Sequence, residues 1–183
     1  MNICVFCGAN RGKSATTISQ VEKLMDLLIA QNATLVYGGG KTGLMGLIAD
    51  RFLQAEAPVI GVRPTKLIED EDAHPGITQM IVVKDMFERK AKMMELADVF
   101  VALPGGIGTL DEMIEVYTQV KIGFAQKLCT VLDVDGFYQG LQQLLEQMVQ
   151  SGFLKEVDRQ LLHIHDDPHQ LADLIVQYQS TSP

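Results

Sequence analysis

The sequence predicts an α/β protein in three layers, a parallel sheet with helices on both faces, and three observations predict it. Short apolar runs alternate along the chain with longer segments whose apolar residues recur at helical spacing. One run, residues 99–103 (Val-Phe-Val-Ala-Leu), is apolar at every position, as a strand covered on both faces must be. Two of the runs lead straight into glycine turns, at residues 38–46 and 105–108. On a parallel sheet such turns sit at the carboxyl ends of the strands, where ligands bind.

Taken in order, residues 2–6 form the first strand, followed by a loop bracketed by Gly8 and Gly12. Ser14 is suited to cap a helix over 15–30, which sets Ile18, Val21, Leu24, Met25 and Leu28 on one face. Residues 34–37 are strand two, and a helix runs from its glycine turn to about Ala55. Residues 58–62 are strand three. Residues 63–76, with Pro64, Pro75 and an acidic patch that includes Glu71, read as an irregular segment, and a loop of that length in a compact domain is more often functional than idle. Residues 77–83 are strand four, Asp85 caps a helix over 86–97, and residues 98–103 are strand five. Pro104 ends that strand, having no N–H for a ladder. A helix over 109–122, strand six at 128–134, a helix over 137–150, a weak strand at 161–165 and a helix opened by Pro168 complete the chain.

With 183 residues the expectation is one domain, over 1–183, large enough for a full core. The net charge of -8 gives no general attraction to nucleic acid or to an anionic membrane, so any anion site must be local. Cys4 and Cys7 are spaced Cys-x-x-Cys, but on or beside a strand they point to opposite faces and read as core cysteines rather than a redox pair. The four histidines show no metal spacing. The first apolar run is too short for a signal peptide and no stretch is long enough to span a bilayer, so a cytoplasmic protein is expected.

The chemistry concentrates after strand five. A buried strand, a glycine turn and a helix start together offer free backbone N–H groups and the positive end of a helix dipole, a ready site for phosphate. Neither turn has the Gly-x-Gly-x-x-Gly spacing of a dinucleotide site. Thr109-Leu-Asp-Glu112 also satisfies the capping-box pattern. Two readings stay open: Thr109 caps the helix with Glu112 reaching back to it, or Thr109 and the turn amides hold a phosphate while Glu112 faces a substrate. Arg89 and Lys90 oppose the dipole of the 86–97 helix, so they either pair with Asp85 or Glu88 on the surface or serve a site. Met86, Met93 and Met94 read as core or as a subunit contact.

Three motifs together resemble one family: Gly-Gly-Gly-Lys-Thr-Gly-Leu-Met-Gly at 38–46, Met86 with Arg89-Lys90, and Pro-Gly-Gly-Ile-Gly-Thr-Leu-Asp-Glu at 104–112. They are similar to those of the LOG ("lonely guy") proteins, cytokinin riboside 5'-monophosphate phosphoribohydrolases often misnamed lysine decarboxylases. The resemblance implies a Rossmann-like fold, a homodimer, no cofactor and no metal. It also implies hydrolysis of the N-glycosidic bond of an adenosine 5'-monophosphate, often N6-substituted, to free base and ribose 5-phosphate. Carried over to this sequence, Arg89 and Glu112 match the catalytic pair. Glu71, Lys90, Gly105, Gly106, Ile107, Gly108, Thr109 and Thr118 match substrate-binding positions, with Gly39, Gly40 and Met45 from the first glycine turn beside them. The chain departs from the family pattern at Phe87, where histidine is usual, at Gln119, where tryptophan is usual, and at Ala125 in place of another histidine. The last two bear on subunit packing or on the base pocket.

The rival from another class is a non-catalytic carrier or sensor of a phosphorylated nucleotide or cofactor. It would need the glycine turns but neither Arg89 nor Glu112. Nothing in the sequence suggests a pyridoxal-phosphate site, which argues against lysine decarboxylation.

Overall fold

The computed structural model describes residues 1–69 and 73–181. In chain order the elements are β1 (Asn2–Phe6), α1 (Ala15–Ile29), β2 (Thr34–Tyr37), α2 (Gly43–Gln54), β3 (Val59–Pro64), α3 (Thr65–Glu69), β4 (Gln79–Val83) and α4 (Met86–Leu96). Then come β5 (Val99–Ala102), α5 (Ile107–Lys121), β6 (Leu128–Leu132), α6 (Gln139–Gln150), α7 (Glu156–Arg159), β7 (Leu162–His165) and α8 (Pro168–Thr181). The strands form one sheet in the order β4-β3-β2-β1-β5-β6-β7, each paired in parallel with its neighbours. The chain winds outward from β1 to β4, then returns to β5 on the other side of β1. The strand order therefore reverses between β1 and β5, which opens a crevice at their carboxyl ends.

The two-residue period of each strand divides the core. Ile3, Val5, Leu35, Tyr37, Val99, Val101 and Leu103 face one side and pack against α1, α2 and α8. Cys4, Phe6, Val36, Phe100, Ala102 and Val131 face the other and pack against α4, α5 and α6. Cys7 belongs to the first cluster and Cys4 to the second, so the two thiols lie on opposite faces, free and buried. Burial raises both thiols well above their ordinary range, which leaves them inert as nucleophiles.

Helix starts follow local chemistry. The Ser14 side chain accepts the N–H of Thr17 at 3.3 Å, and that of Asp85 accepts the N–H groups of Phe87 and Glu88 at 3.0 Å each. Helix α5 begins three residues earlier than the capping pattern implies. Gly106 is its N-cap, so Thr109 is the third helical residue and the capping box does not form. A glycine cap supplies no side-chain acceptor, and the first-turn N–H groups of α5 stay available. Two short helices, α3 and α7, were not anticipated, and a 3-10 turn at Val134–Gly136 takes up the expected end of strand six. Among the described residues no helix is long and apolar enough to cross a membrane, and no three His, Cys, Asp or Glu side chains gather to hold a metal ion.

Candidate active site

Three loops lock together at the carboxyl ends of β1, β2 and β5. Gly8 donates its N–H to the Pro104 carbonyl at 3.2 Å, and Leu44 donates to the Gly8 carbonyl at 3.1 Å. Gly43, at φ +63, lets the β2–α2 turn pass so close to Ala9 that any side chain would run into its carbonyl. Above this junction lies a cleft of about 640 Å³, with residues 7–14, Leu44, Met45, Met86, Arg89, residues 104–106, Gly108, Thr109, Asp111, Glu112 and Phe137 on its walls.

Glu112 is on the second turn of α5 and its side chain is 8% exposed. Its Oε1 lies 3.0 Å from Arg89 Nη2 on α4, yet accepts no hydrogen bond among the described residues. The approach is close enough for attraction but out of line for an N–H···O bond. Arg89 is fixed by its other nitrogens: Nε donates to the Val62 carbonyl at 3.1 Å and Nη1 to the Met86 sulfur at 3.6 Å. Gly38 makes room for this guanidinium, since a methyl group there would overlap Nη2. Burial raises the Glu112 carboxyl above its ordinary value; Arg89 opposes the shift and Asp111 adds to it. A buried carboxylate held against a guanidinium on the wall of a cleft is a candidate for chemistry at that cleft.

The β5–α5 turn forms the adjoining wall. Gly105 is required by packing, because a side chain there would overlap Thr109, which is itself buried. Gly106 and Gly108 are different: a methyl group on either would meet nothing within 4 Å. Neither has a positive φ, so the fold does not demand glycine there. The space they leave lies in the cleft beside the uncapped N–H groups of α5, an arrangement suited to an anion.

Of the residues proposed from sequence, the cleft brings together Arg89, Glu112, Gly105, Gly106, Gly108, Thr109 and Met45. Ile107, at 83% exposure, projects from the tip of α5 and does not line it. Gly39 and Gly40 do not line it either. Their backbone pins the return segment instead, Gly39 accepting from His74 N at 2.9 Å and Gly40 bridging Ala73. Lys90 pairs with Asp111, at 3.1 Å, and with Glu115, both on α5 rather than with Asp85 or Glu88. Thr118 is exposed and donates to the Ile114 carbonyl at 2.7 Å. Glu71 lies outside the described residues. Met86, expected in the core or at a subunit contact, lines the cleft, while Met93 is buried.

Sequence reasoning missed the β1–α1 loop. Asn10, Arg11 and Lys13 line the cleft, as does Phe137 at the start of α6. The signal was present: cations in a glycine-bracketed loop directly after a central strand, in a chain that is otherwise acidic.

Fold and site define a doubly wound α/β protein with a glycine-walled helix start and a buried carboxylate at the switch point of its sheet. A family model described as "Possible lysine decarboxylase" matches residues 45–175. The chain is 39% identical over 176 residues to the probable cytokinin riboside 5'-monophosphate phosphoribohydrolase LOGL1 of Oryza sativa subsp. japonica, covering 96% of this chain and 79% of that protein. It is 38% identical over 176 residues to LOG2 of Arabidopsis thaliana, named a cytokinin riboside 5'-monophosphate phosphoribohydrolase, covering 96% and 83%. The protein belongs to this LOG family. Solved structures of the same fold include the molybdenum cofactor binding protein of Rippkaea orientalis (TM-score 0.71, 22% identity, covering 96% of this chain and 95% of that one). The molybdenum cofactor carrier protein of Chlamydomonas reinhardtii also shares it (TM-score 0.72, 17% identity, covering 98% of each chain).

Proposed function

We propose that the protein hydrolyses the N-glycosidic bond of adenosine 5'-monophosphate or its N6-substituted forms, releasing free base and ribose 5-phosphate. The observation that carries this is Glu112: a buried carboxylate paired with Arg89, beside the open glycine wall of the β5–α5 turn. The names of the relatives at 38–39% identity support the same reaction.

The geometry suggests how the parts divide the work. The N–H groups of Gly108 and Thr109 hold the 5'-phosphate, which places the ribose next to Glu112. Hydrolysis forms a bond from water oxygen to C1' and breaks the bond from C1' to the base nitrogen. Positive charge grows on the sugar as the bond breaks, and a carboxylate in a low-dielectric site stabilises it strongly. Glu112 accepts a proton from the attacking water, and the leaving base takes up a proton from solvent, to which Glu112 then returns its own. Arg89 offsets part of the cost that burial imposes on the ionised Glu112 and faces the ribose and phosphate with its charge. Phosphate contacts remote from C1' fix the reacting atoms in place.

The cleft, the cradle and the carboxylate belong to one domain over 1–183, with a nucleotide as partner and neither cofactor nor metal. Nucleic acid is not a partner, in keeping with the net charge of -8. The protein is cytoplasmic. It is a homodimer, supported by Lys90 and Thr118, which match substrate positions but do not line the cleft of their own chain. Large apolar side chains, Phe87 at 80% and Phe124 at 83% exposure, stand exposed on α4 and just beyond α5. Sedimentation at assay concentration is expected to give twice the mass of the chain, and a monomer would overturn the dimer.

The test of the reaction is to incubate the protein with AMP and with isopentenyl-AMP and to follow free base by chromatography. Glu112→Gln is expected to lower turnover by about 10³-fold, at the scale of a lost catalytic carboxylate. A variant retaining most of its turnover would remove Glu112 from the reaction. Nucleotide bound without base release by the wild type would leave a carrier.

A further inference from the structure

We propose that Arg11 and Lys13, on the β1–α1 loop, form a second cationic arm that closes on the phosphate of the bound nucleotide. The proposal rests on the nucleotide reading above and names residues that the family motifs do not include.

The first observation is placement. Arg11 and Lys13 both line the cleft, and their loop faces the β5–α5 turn. The base of the loop is fixed against that turn by the bond from Gly8 N–H to the Pro104 carbonyl, and a Cβ on Gly8 would sit 3.4 Å from the Gly105 Cα. Three and five residues beyond this anchor, the two cations stay within a few residues' reach of the open space at Gly106 and Gly108. Gly12, between them, holds φ at +76, a left-handed turn within the loop.

The second observation is charge. Neither Arg11 nor Lys13 makes an ion pair or hydrogen bond among the described residues, whereas the acids of the same cleft are engaged, Asp111 by Lys90 and Glu112 by Arg89. Ser14, next to Lys13, donates its hydroxyl to Asp135 at 3.2 Å. Two cations with no internal partner thus stand across from uncapped helix N–H groups, in a chain of net charge -8. An acidic protein repels a nucleotide dianion at long range, and a local pair of cations reverses the field where the anion must enter. The third observation is that Glu112, buried on the wall of the same cleft, is already paired with Arg89, so this carboxylate does not compete for the two loop cations.

The phosphate is therefore held from two sides: by backbone N–H groups of α5, which set its position, and by Arg11 and Lys13, which attract and cover it. The arm distinguishes a 5'-monophosphate from the free nucleoside. It gives an otherwise acidic surface its selectivity for a charged substrate.

The experiment replaces Arg11 and Lys13 with glutamine, singly and together, in the full chain. It measures KM for AMP and calorimetric binding of inorganic phosphate and of AMP. Each single variant is expected to raise KM roughly fivefold to tenfold, and the pair about fiftyfold, the scale of charge-assisted contacts discounted for exposure. Phosphate binding falls in parallel. Arg11→Lys and Lys13→Arg keep both within about twofold, which a loss of loop structure would not allow. A double variant that keeps KM for AMP and phosphate binding within about twofold of wild type overturns the arm while leaving the hydrolase standing. A wild type that releases no base, but whose phosphate binding collapses in the double variant, upholds the arm and overturns the hydrolase.

Discussion

The two glycine turns have similar sequences and opposite structural meanings. In the β2–α2 turn almost every glycine is crowded. A side chain on Gly38 would overlap the Arg89 guanidinium, one on Gly43 the Ala9 carbonyl, and one on Gly46 the Lys41 carbonyl, while one on Gly40 would come 2.7 Å from the end of Met45. In the β5–α5 turn only Gly105 is crowded, and Gly106 and Gly108 look onto open space. The first turn uses glycine to bring protein against protein, and the second uses it to leave room for something else. Glycine in a loop is therefore not evidence of a ligand until the space around it is known.

The comparison predicts opposite outcomes for the same substitution. Gly43→Ala places a Cβ at φ +63 and against the Ala9 backbone, which cannot yield without opening the loop junction. Strain and overlap together are expected to cost about 3 kcal/mol, a fall of roughly 10 °C in Tm for a chain of this size. Thermal unfolding measures it, and a change under 3 °C would show that the β1–α1 and β2–α2 loops are not locked. Gly108→Ala is expected to leave Tm unchanged or to raise it slightly, because alanine favours the helix by up to about 1 kcal/mol. KM for AMP should nevertheless rise about tenfold, as the methyl group fills the space beside the N–H groups of α5. An unchanged KM would move the phosphate away from this turn.

The same contrast explains what was legible in the sequence. Strand five was readable because a strand buried on both faces is apolar at every position, and residues 99–103 are. The opposite faces of Cys4 and Cys7 followed from the strand period alone. The start of α5 was obscured because glycine at the N-cap and again at the second helical position looks like a turn, although the backbone is already helical. Helices α3 and α7, of five and four residues, are too short for any period to show. The Arg89–Glu112 contact joins residues on different helices, and no local spacing encodes it; resemblance named the pair, and only the fold supplies the 3.0 Å between them. The partners of Lys90 were hidden for the same reason, being on α5 rather than on its own helix.

The smallest expected effect tests the other side of the contrast, the one residue whose environment is set by the space rather than by packing. Glu112 has its carboxyl raised above the ordinary value of 4.5, first by burial, with Arg89 opposing. The fold therefore favours the protonated form. Its contribution to stability is fullest below the ordinary value and is lost as pH rises through the raised one. Chemistry needs the opposite form, since only the carboxylate stabilises the sugar cation and accepts a proton from water. So kcat/KM for AMP should rise with pH across the same window in which the fold loses stability to this group. Urea unfolding of wild type and Glu112→Gln between pH 4 and pH 8 should show the variant gaining relative stability as pH rises. Relative stability that is flat with pH would mean that Glu112 is not desolvated as its burial implies. Opposed slopes in stability and rate would mean that the carboxylate is kept ionised for its substrate at the expense of the fold.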